Sequence, residues 1–108
     1  MRVTKLWGTE DIIENSALYC MKLLRLQPGF QSSLHYHLNK DETFLVIYGV
    51  CDLEVAGATR RMVVGDHQRI QPLTEHRFRA VNDLCCVVEA STYHDDEDVV
   101  RLEGSRKL

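Results

Sequence analysis

Several features are absent from this 108-residue sequence, and each absence argues against a class of protein. No apolar stretch approaches the roughly 20 residues that a membrane-spanning helix requires. The N-terminal residues MRVTKLW lack the apolar core of a secretory signal peptide, so the cytoplasm is the expected location. Lys and Arg number 13 against 16 Asp and Glu, and the resulting net charge of −3 gives no electrostatic support for nucleic-acid binding. No repeat, low-complexity tract or linker divides the chain, which predicts one domain over residues 1–108.

The four cysteines do not form a recognisable disulfide or zinc pattern. They stand at positions 20, 51, 85 and 86 and include no C-x-x-C pair. Cys85 and Cys86 are adjacent, and neighbours on a strand point to opposite faces. Since they lie among apolar residues, we predict reduced thiols in the core.

Short apolar runs that end at turn residues recur along the chain. Residues 19–26 precede Pro28-Gly29, and residues 43–48 precede Gly49. Runs of this length, rich in Val, Leu and Tyr, are typical of an antiparallel sandwich or barrel. Long amphipathic helical segments are absent, which argues against a doubly wound α/β fold. The sequence therefore predicts an all-β protein.

The histidines and one glutamate indicate a metal site. His35 and His37 are separated by one residue, so on a strand both imidazoles project from the same face. Glu42 follows a polar turn and reaches the same point if the two strands pair, and His76 begins a later predicted strand. Three imidazoles and one carboxylate suit a divalent transition metal and leave positions open for water or substrate. A lone His-x-His pair would be weak support, because such pairs also decorate surfaces.

This pair, however, lies in a longer pattern. Gly29, five residues, His35-x-His37, four residues, Glu42, six residues and Gly49 resemble the first motif of the cupin family, G-x5-H-x-H-x3-4-E-x6-G. The resemblance covers about residues 18–91 and implies a small antiparallel jelly-roll barrel with a metal inside. The metal would be Zn, Mn, Fe or Ni.

A second pattern resembles the second cupin motif, G-x5-P-x-G-x2-H-x3-N. The separation from Gly65 to His76 agrees with the family, so the resemblance implies that His76 completes the metal site. Pro72 lies one place late, the motif's second glycine is absent, and Ala80 stands where the family has asparagine. These differences concern the shape of the loop before His76.

The flanking segments resemble one branch of the family, the cupin domain of the bifunctional phosphomannose isomerases/mannose-1-phosphate guanylyltransferases. This resemblance implies a sugar or sugar phosphate as the small-molecule partner, whereas 108 residues leave no room for a nucleotidyltransferase domain. It is carried by residues 5–8, Lys22, residues 33–35, Glu89 and residues 97–103.

Strand alternation predicts which side chains face the cavity. Ser33 shares the face of the histidine pair, Tyr48 shares that of Glu42, and Phe78 shares that of His76, which makes them candidate substrate contacts. For Phe78, and for Phe44 and Val46 on the face of Glu42, a core position is the stronger interpretation.

Two charged residues stand in apolar runs. Lys22 facing inward would bind an anionic sugar phosphate, and Glu89 facing inward would serve as the base, held dry enough to raise its pKa. Facing outward, both would be ordinary strand residues. His67 and His94 are predicted to be exposed loop residues.

Three functions remain open. The first is a metal-dependent aldose–ketose isomerase, with the metal as Lewis acid and Glu89 as base. The second is an iron-dependent dioxygenase, and the third is a non-catalytic carbohydrate-binding module.

The ends of the chain are predicted as additions to the barrel. Residues 1–17 form an N-terminal arm in which residues 10–15 could make a helical turn. Residues 92–108 form a tail, solvated at its acidic run 95–98 and ending as a short helix or an extended edge. We expect a homodimer, with the segment around Trp7 and the strand near Leu84 as candidate pairing edges.

Overall fold

The computed structural model describes residues 1–108 and confirms the predicted all-β fold. It contains thirteen strands and no helix, and so no long apolar helix able to cross a membrane. In chain order the strands are β1 (Arg2–Lys5), β2 (Gly8–Asn15), β3 (Cys20–Leu26), β4 (Phe30–Gln31), β5 (Leu34–His37), β6 (Glu42–Tyr48), β7 (Cys51–Val55), β8 (Ala58–Met62), β9 (His67–Ile70), β10 (His76–Ala80), β11 (Cys85–Ser91), β12 (Val99–Glu103) and β13 (Arg106–Lys107).

The strands form two antiparallel sheets. The first sheet has six strands in the order β1-β2-β3-β11-β6-β9. The second follows the order β12-β5-β10-β4-β13, with β7 paired to β10 and β8 paired to β7. Strands distant in sequence are neighbours in both sheets, as β3 is with β11 and β5 with β10. This arrangement of long crossovers between two facing sheets is that of a jelly roll.

Alternate residues of four central strands face the interior, and their character changes along each strand. Apolar residues at one end form the core, and a charged or imidazole side chain follows at the other end. These charged and imidazole side chains together form a polar layer directly on the hydrophobic core, and the candidate site lies in this layer. The inward sequences are Leu26, Leu24 and Lys22 on β3; Val46, Phe44 and Glu42 on β6; Ala80, Phe78 and His76 on β10; and Cys85, Val87 and Glu89 on β11. All four cysteines are free, and Cys86 alone is not fully buried.

The N-terminal segment is part of the first sheet. β1 and β2 form a hairpin, and β2 pairs with β3 from Gly8 opposite Leu26 to Asn15 opposite Cys20. The expected helical turn over residues 10–15 is therefore wrong, because these residues make ladder hydrogen bonds to β3.

The C-terminal segment is likewise paired. β12 lies against β5 and β13 against β4, so the extended-edge alternative is the correct one. The predicted solvated character of residues 95–98 is wrong at Asp98, whose side chain is buried.

The two predicted pairing edges for a homodimer have different outcomes. The strand that follows Leu84, β11, lies in the middle of the first sheet between β3 and β6, so it offers no edge. Trp7 is buried in the core of its own chain, but β1 of the same N-terminal segment ends the first sheet and pairs only with β2, so its outer edge stays a predicted pairing edge.

Candidate metal centre and cavity

Three histidines from two neighbouring strands converge at one point. His35 and His37 project from β5, and His76, the first residue of β10, stands directly opposite His35. Their ligand nitrogens all lie within 4.8 Å of one another, and the ring centroids of His35 and His76 are 4.5 Å apart. Local alternation on β5 and cross-strand pairing with β10 together create this cluster.

Each imidazole is oriented by a backbone oxygen. The Nδ1 of every ring lies 2.9 Å from a carbonyl, so Nδ1 carries the proton and donates it, and Nε2 keeps its lone pair. A free Nε2 is what a metal-binding histidine presents, with the other nitrogen held by its neighbour. The acceptors are the backbone oxygens of Ser33 for His35, Asp98 for His37 and Thr74 for His76.

Burial keeps two of these rings neutral at neutral pH. Desolvation lowers the pKa of His35 to about 3, and the adjacent His76 acts in the same direction. Desolvation also lowers the pKa of His37 to about 4, although the carboxylate of Glu42 opposes it. Neutral imidazoles bind a cation without first releasing a proton.

Glu42 joins the histidines and leaves polar atoms without partners. Its Oε1 lies 2.8 Å from Nε2 of His76, and its Oε2 lies 3.7 Å from Nε2 of His37. All three atoms are buried: Oε2 is ion-paired with Lys40, whereas Oε1 and Nε2 of His76 have no hydrogen bond and face each other as two acceptors. Buried unsatisfied acceptors are costly, and a cation between these two would satisfy both. The donor set therefore fits a divalent transition metal.

The charge of Glu42 is maintained by its neighbours. Burial alone would raise the pKa of Glu42, whereas the ammonium of Lys40, 3.1 Å from Oε2, lowers that pKa. The carboxylate is thus ionised and suited to bind a cation.

Lys40 is the residue of the site that the sequence did not predict. Only 3% of it is exposed, and its Nζ lies 2.9 Å from Oε2 of Glu89 and 3.1 Å from Oε2 of Glu42. Burial would lower the pKa of Lys40, but these two carboxylates outweigh it and raise the pKa. In the sequence, a lysine in the polar turn between His37 and Glu42 is indistinguishable from a solvated one.

Glu89 and Lys22 stand opposite each other on β11 and β3, and both line the cavity. Lys22 is 2% exposed, with its Nζ 2.7 Å from Oε1 of Glu10. Glu89 is buried but lies in an ion pair with Lys40 rather than in the dry apolar setting that its strand predicted.

The cavity above the core has a volume of about 490 Å³ and includes the predicted Ser33 and Phe78 in its wall. Ser33 places its hydroxyl 3.0 Å from Nδ1 of His35. The ring of Phe78 packs edge to face on Phe44 with a centroid distance of 4.7 Å. A cavity of this size suits a small-molecule ligand.

Tyr48 lies outside this cavity, with 60% of its surface exposed, so its predicted inward orientation is wrong. A bulge causes the difference: Val87 pairs with Val46, but Cys86 pairs with Tyr48, which leaves one extra residue on β6 and breaks the alternation. Gly49 follows with a φ of 74°, and a Cβ there would lie 2.0 Å from the carbonyl oxygen of Leu84.

The two remaining histidines differ from each other. His67 is exposed as predicted, although it begins β9 rather than lying in a loop. His94 is half-buried, lines the cavity and has its Nδ1 3.0 Å from Nζ of Lys40, so its predicted exposure is wrong. Asn15 holds His94 there by bonding both its N–H and its carbonyl at 2.9 Å.

Comparison with known proteins agrees with this geometry. Residues 1–104 match the family described as "Mannose-6-phosphate isomerase C-terminal". The chain belongs to this family. The predicted resemblance to the cupins, and to their phosphomannose isomerase branch, is therefore confirmed.

A curated relative points the same way. Over 100 residues the chain is 23% identical to a Vibrio cholerae protein assigned as a mannose-1-phosphate guanylyltransferase. The match covers 90% of this chain and 22% of that protein, so the chain corresponds to about a fifth of the relative's length.

Solved structures share the fold. KdgF from Halomonas sp. superposes with a TM-score of 0.76 at 20% identity over 82% of this chain and 81% of its own. An oxalate decarboxylase from Bacillus subtilis reaches 0.84 at 17% identity, over 94% of this chain and 30% of that one. The capsular polysaccharide assembling protein CapF from Staphylococcus aureus reaches 0.81 at 17% identity, over 95% and 34%. At these identities the likeness establishes the jelly-roll fold.

Proposed function

We propose that this cupin is a metal-dependent isomerase that interconverts the aldose and ketose forms of a sugar or sugar phosphate. One observation carries the proposal: the same cavity holds the three-histidine cluster with Glu42 and, separately, a second buried carboxylate, Glu89. Isomerisation requires an electrophile at two neighbouring oxygens and a base at the carbon-bound proton. The two sets of groups correspond to these two requirements.

The metal would be held by Nε2 of His35, His37 and His76 together with the carboxylate of Glu42. Imidazole and carboxylate ligands suit Zn, Mn, Fe or Ni. When bound, such a metal supplies a Lewis acid that polarises the substrate carbonyl.

The remaining residues of the cavity divide the other tasks. Glu89 accepts the carbon-bound proton and returns it to the neighbouring carbon. Lys22 has one carboxylate partner, Glu10, whereas an ammonium has three N–H donors, so Lys22 retains donors for an anionic group such as a phosphate. The hydroxyl of Ser33 bonds substrate oxygens, and Phe78 supplies an apolar wall.

The test is hydrogen exchange. Metal-free protein is reconstituted with Zn, Mn, Fe or Ni and mixed in D₂O with a panel of sugars and sugar phosphates. Mannose 6-phosphate comes first, since the family bears its name. Loss of the proton signal at C2 by NMR is the expected result. Glu89→Gln should slow this exchange at least about a hundredfold, whereas the exposed Glu97→Gln should not.

A non-catalytic sugar-binding module is the second candidate, and one observation favours it. Glu89 and Lys22 are already ion-paired with Lys40 and Glu10, as in a network that only stabilises the fold. Sugar binding without C2 exchange for any of the four metals would favour the binding module. Oxygen uptake by the Fe²⁺ sample would instead indicate dioxygenase chemistry.

A further inference from the structure

Lys40 lies between the two carboxylates of the cavity. Its ammonium donates hydrogen bonds to Oε2 of Glu89 at 2.9 Å and to Nδ1 of His94 at 3.0 Å, and it forms an ion pair with Oε2 of Glu42 at 3.1 Å. Because an ammonium has no acceptor, Nδ1 of His94 is unprotonated, and its Nε2–H donates to Asp96 at 2.8 Å. One cation thus contacts a metal-ligand candidate on one side and the candidate base on the other.

The surroundings fix this cation in place. The side-chain carboxylate of Asp98 accepts the backbone N–H of Lys40 at 3.0 Å. Asn15 holds the backbone of His94 through two hydrogen bonds, and the Nδ1 of the same His94 accepts from the ammonium. A lysine side chain loses much rotamer entropy on burial, and these contacts offset that loss.

Glu42 and Glu89 are close enough to compete for one metal. On β6 and β11, Glu89 stands opposite Phe44 and Ser91 stands opposite Glu42, which makes the two glutamates diagonal neighbours. Diagonal side chains across a strand pair lie about 7–8 Å apart or less, within the reach of long residues. A second carboxylate at this distance is a natural additional ligand for a transition metal.

We propose that Lys40 is a positioning residue that keeps Glu89 out of the ligand set, so that Glu89 stays free to accept a proton. This inference rests on the proposed function, in which Glu42 binds the metal and Glu89 does not. By the same contacts Lys40 places a positive charge beside the ligands, which weakens the binding of another cation. Lys40 therefore lowers the metal affinity and at the same time keeps the carboxylate of Glu89 unbound.

The experiment is a calorimetric titration of metal-free protein with Mn²⁺. Lys40→Met should bind Mn²⁺ at least about tenfold more tightly, because the repulsion is removed and Glu89 becomes available as a ligand. Lys40→Arg keeps the charge and should stay within about threefold of wild type. Lys107→Met removes an exposed ammonium outside the cavity and should also stay within about threefold.

A purely structural role predicts the opposite sign. Loss of a supporting contact normally weakens metal binding about 10–100-fold. Weaker or unchanged binding by Lys40→Met would overturn the inference. Adding Glu89→Gln to Lys40→Met should reverse part of the tightening, since the additional ligand is gone. Should Lys40→Met fail to fold, Lys40→Gln carries the same expectation.

The titration requires no sugar, so the two proposals fail separately. Wild-type protein that binds Mn²⁺ but exchanges no C2 proton would overturn the isomerase proposal. The Mn²⁺ affinities of the Lys40 variants would then still decide whether Lys40 keeps Glu89 out of the ligand set. Wild-type protein that binds none of the metals would overturn both.

Discussion

Removal of the Asp98 carboxylate should destabilise the loop that joins the histidine pair to Glu42. This buried carboxylate accepts the backbone N–H groups of Leu38 at 3.0 Å, Asn39 at 2.9 Å and Lys40 at 3.0 Å. Asp98→Ala deprives three buried or half-buried donors of their acceptor at once. No other side chain is bonded to these three groups.

The expected loss follows from the number of bonds. A hydrogen bond to a charged group contributes about 1.5–3 kcal/mol, and relaxation of the loop towards water recovers part of the total. We therefore expect Asp98→Ala to lower the free energy of unfolding by about 3–5 kcal/mol. At about 4 °C per kcal/mol or more, the melting temperature of the metal-free protein falls by at least about 12 °C. Asp83→Ala, in an exposed turn, serves as the control and should cost less than about 0.5 kcal/mol.

Metal binding provides a second readout of the same change. The backbone carbonyl of Asp98, which orients His37 at 2.9 Å, survives the substitution, so only its position can change. A displaced carbonyl should lower metal affinity about 10–100-fold. If Asp98→Ala has the same melting temperature as Asp83→Ala and the metal affinity of wild type, the carboxylate does not hold this loop and the reasoning is wrong.

Further predictions concern the ligands, pH and assembly. His37→Ala should abolish stoichiometric metal binding, measured by elemental analysis. Its circular dichroism should remain that of a folded β protein, because the apolar strands stabilise the fold. Metal retained at one ion per chain would contradict this. In the metal-free protein the unfolding free energy should fall as pH falls from about 6.5 towards 4, because the unfolded chain then binds protons that buried His35 and His37 do not. Urea titrations should show a slope of at most about 1.4 kcal/mol per pH unit for each imidazole, and a flat profile would contradict the burial argument. We expect a two-fold homodimer through the outer face of the first sheet, where Ile13, Met21 and Leu45 are exposed; light scattering that finds only monomer at tens of micromolar would contradict it.

The sequence was sufficient wherever function depends on short spacing. His35 and His37 share a face because they are two residues apart on a strand, and this alternation is independent of the rest of the fold. The position of Glu42 required only that two consecutive strands approach each other. His76 needed the second motif, since it lies 39 positions after His37.

Prediction failed where a residue's environment is assembled from distant segments. Lys40 and His94 are 54 residues apart, and each appears solvated until the other is beside it. Tyr48 was misplaced by a bulge, which no alternation pattern contains. Bulges insert one residue without a distinctive composition, so strict parity holds only up to the irregularity.

The two chain ends, predicted as an arm and a tail around a barrel of residues 18–91, supply part of the site's charge balance. Glu10 from β2 neutralises Lys22, and Asp98 with His94 from the C-terminal segment orders Lys40. A buried lysine without its partner costs several kcal/mol, comparable to much of a small domain's stability. Residues 18–91 alone would therefore carry an uncompensated charge at Lys22 and a loosely held one at Lys40. The polar layer of the cavity and the ends of the chain therefore stabilise each other.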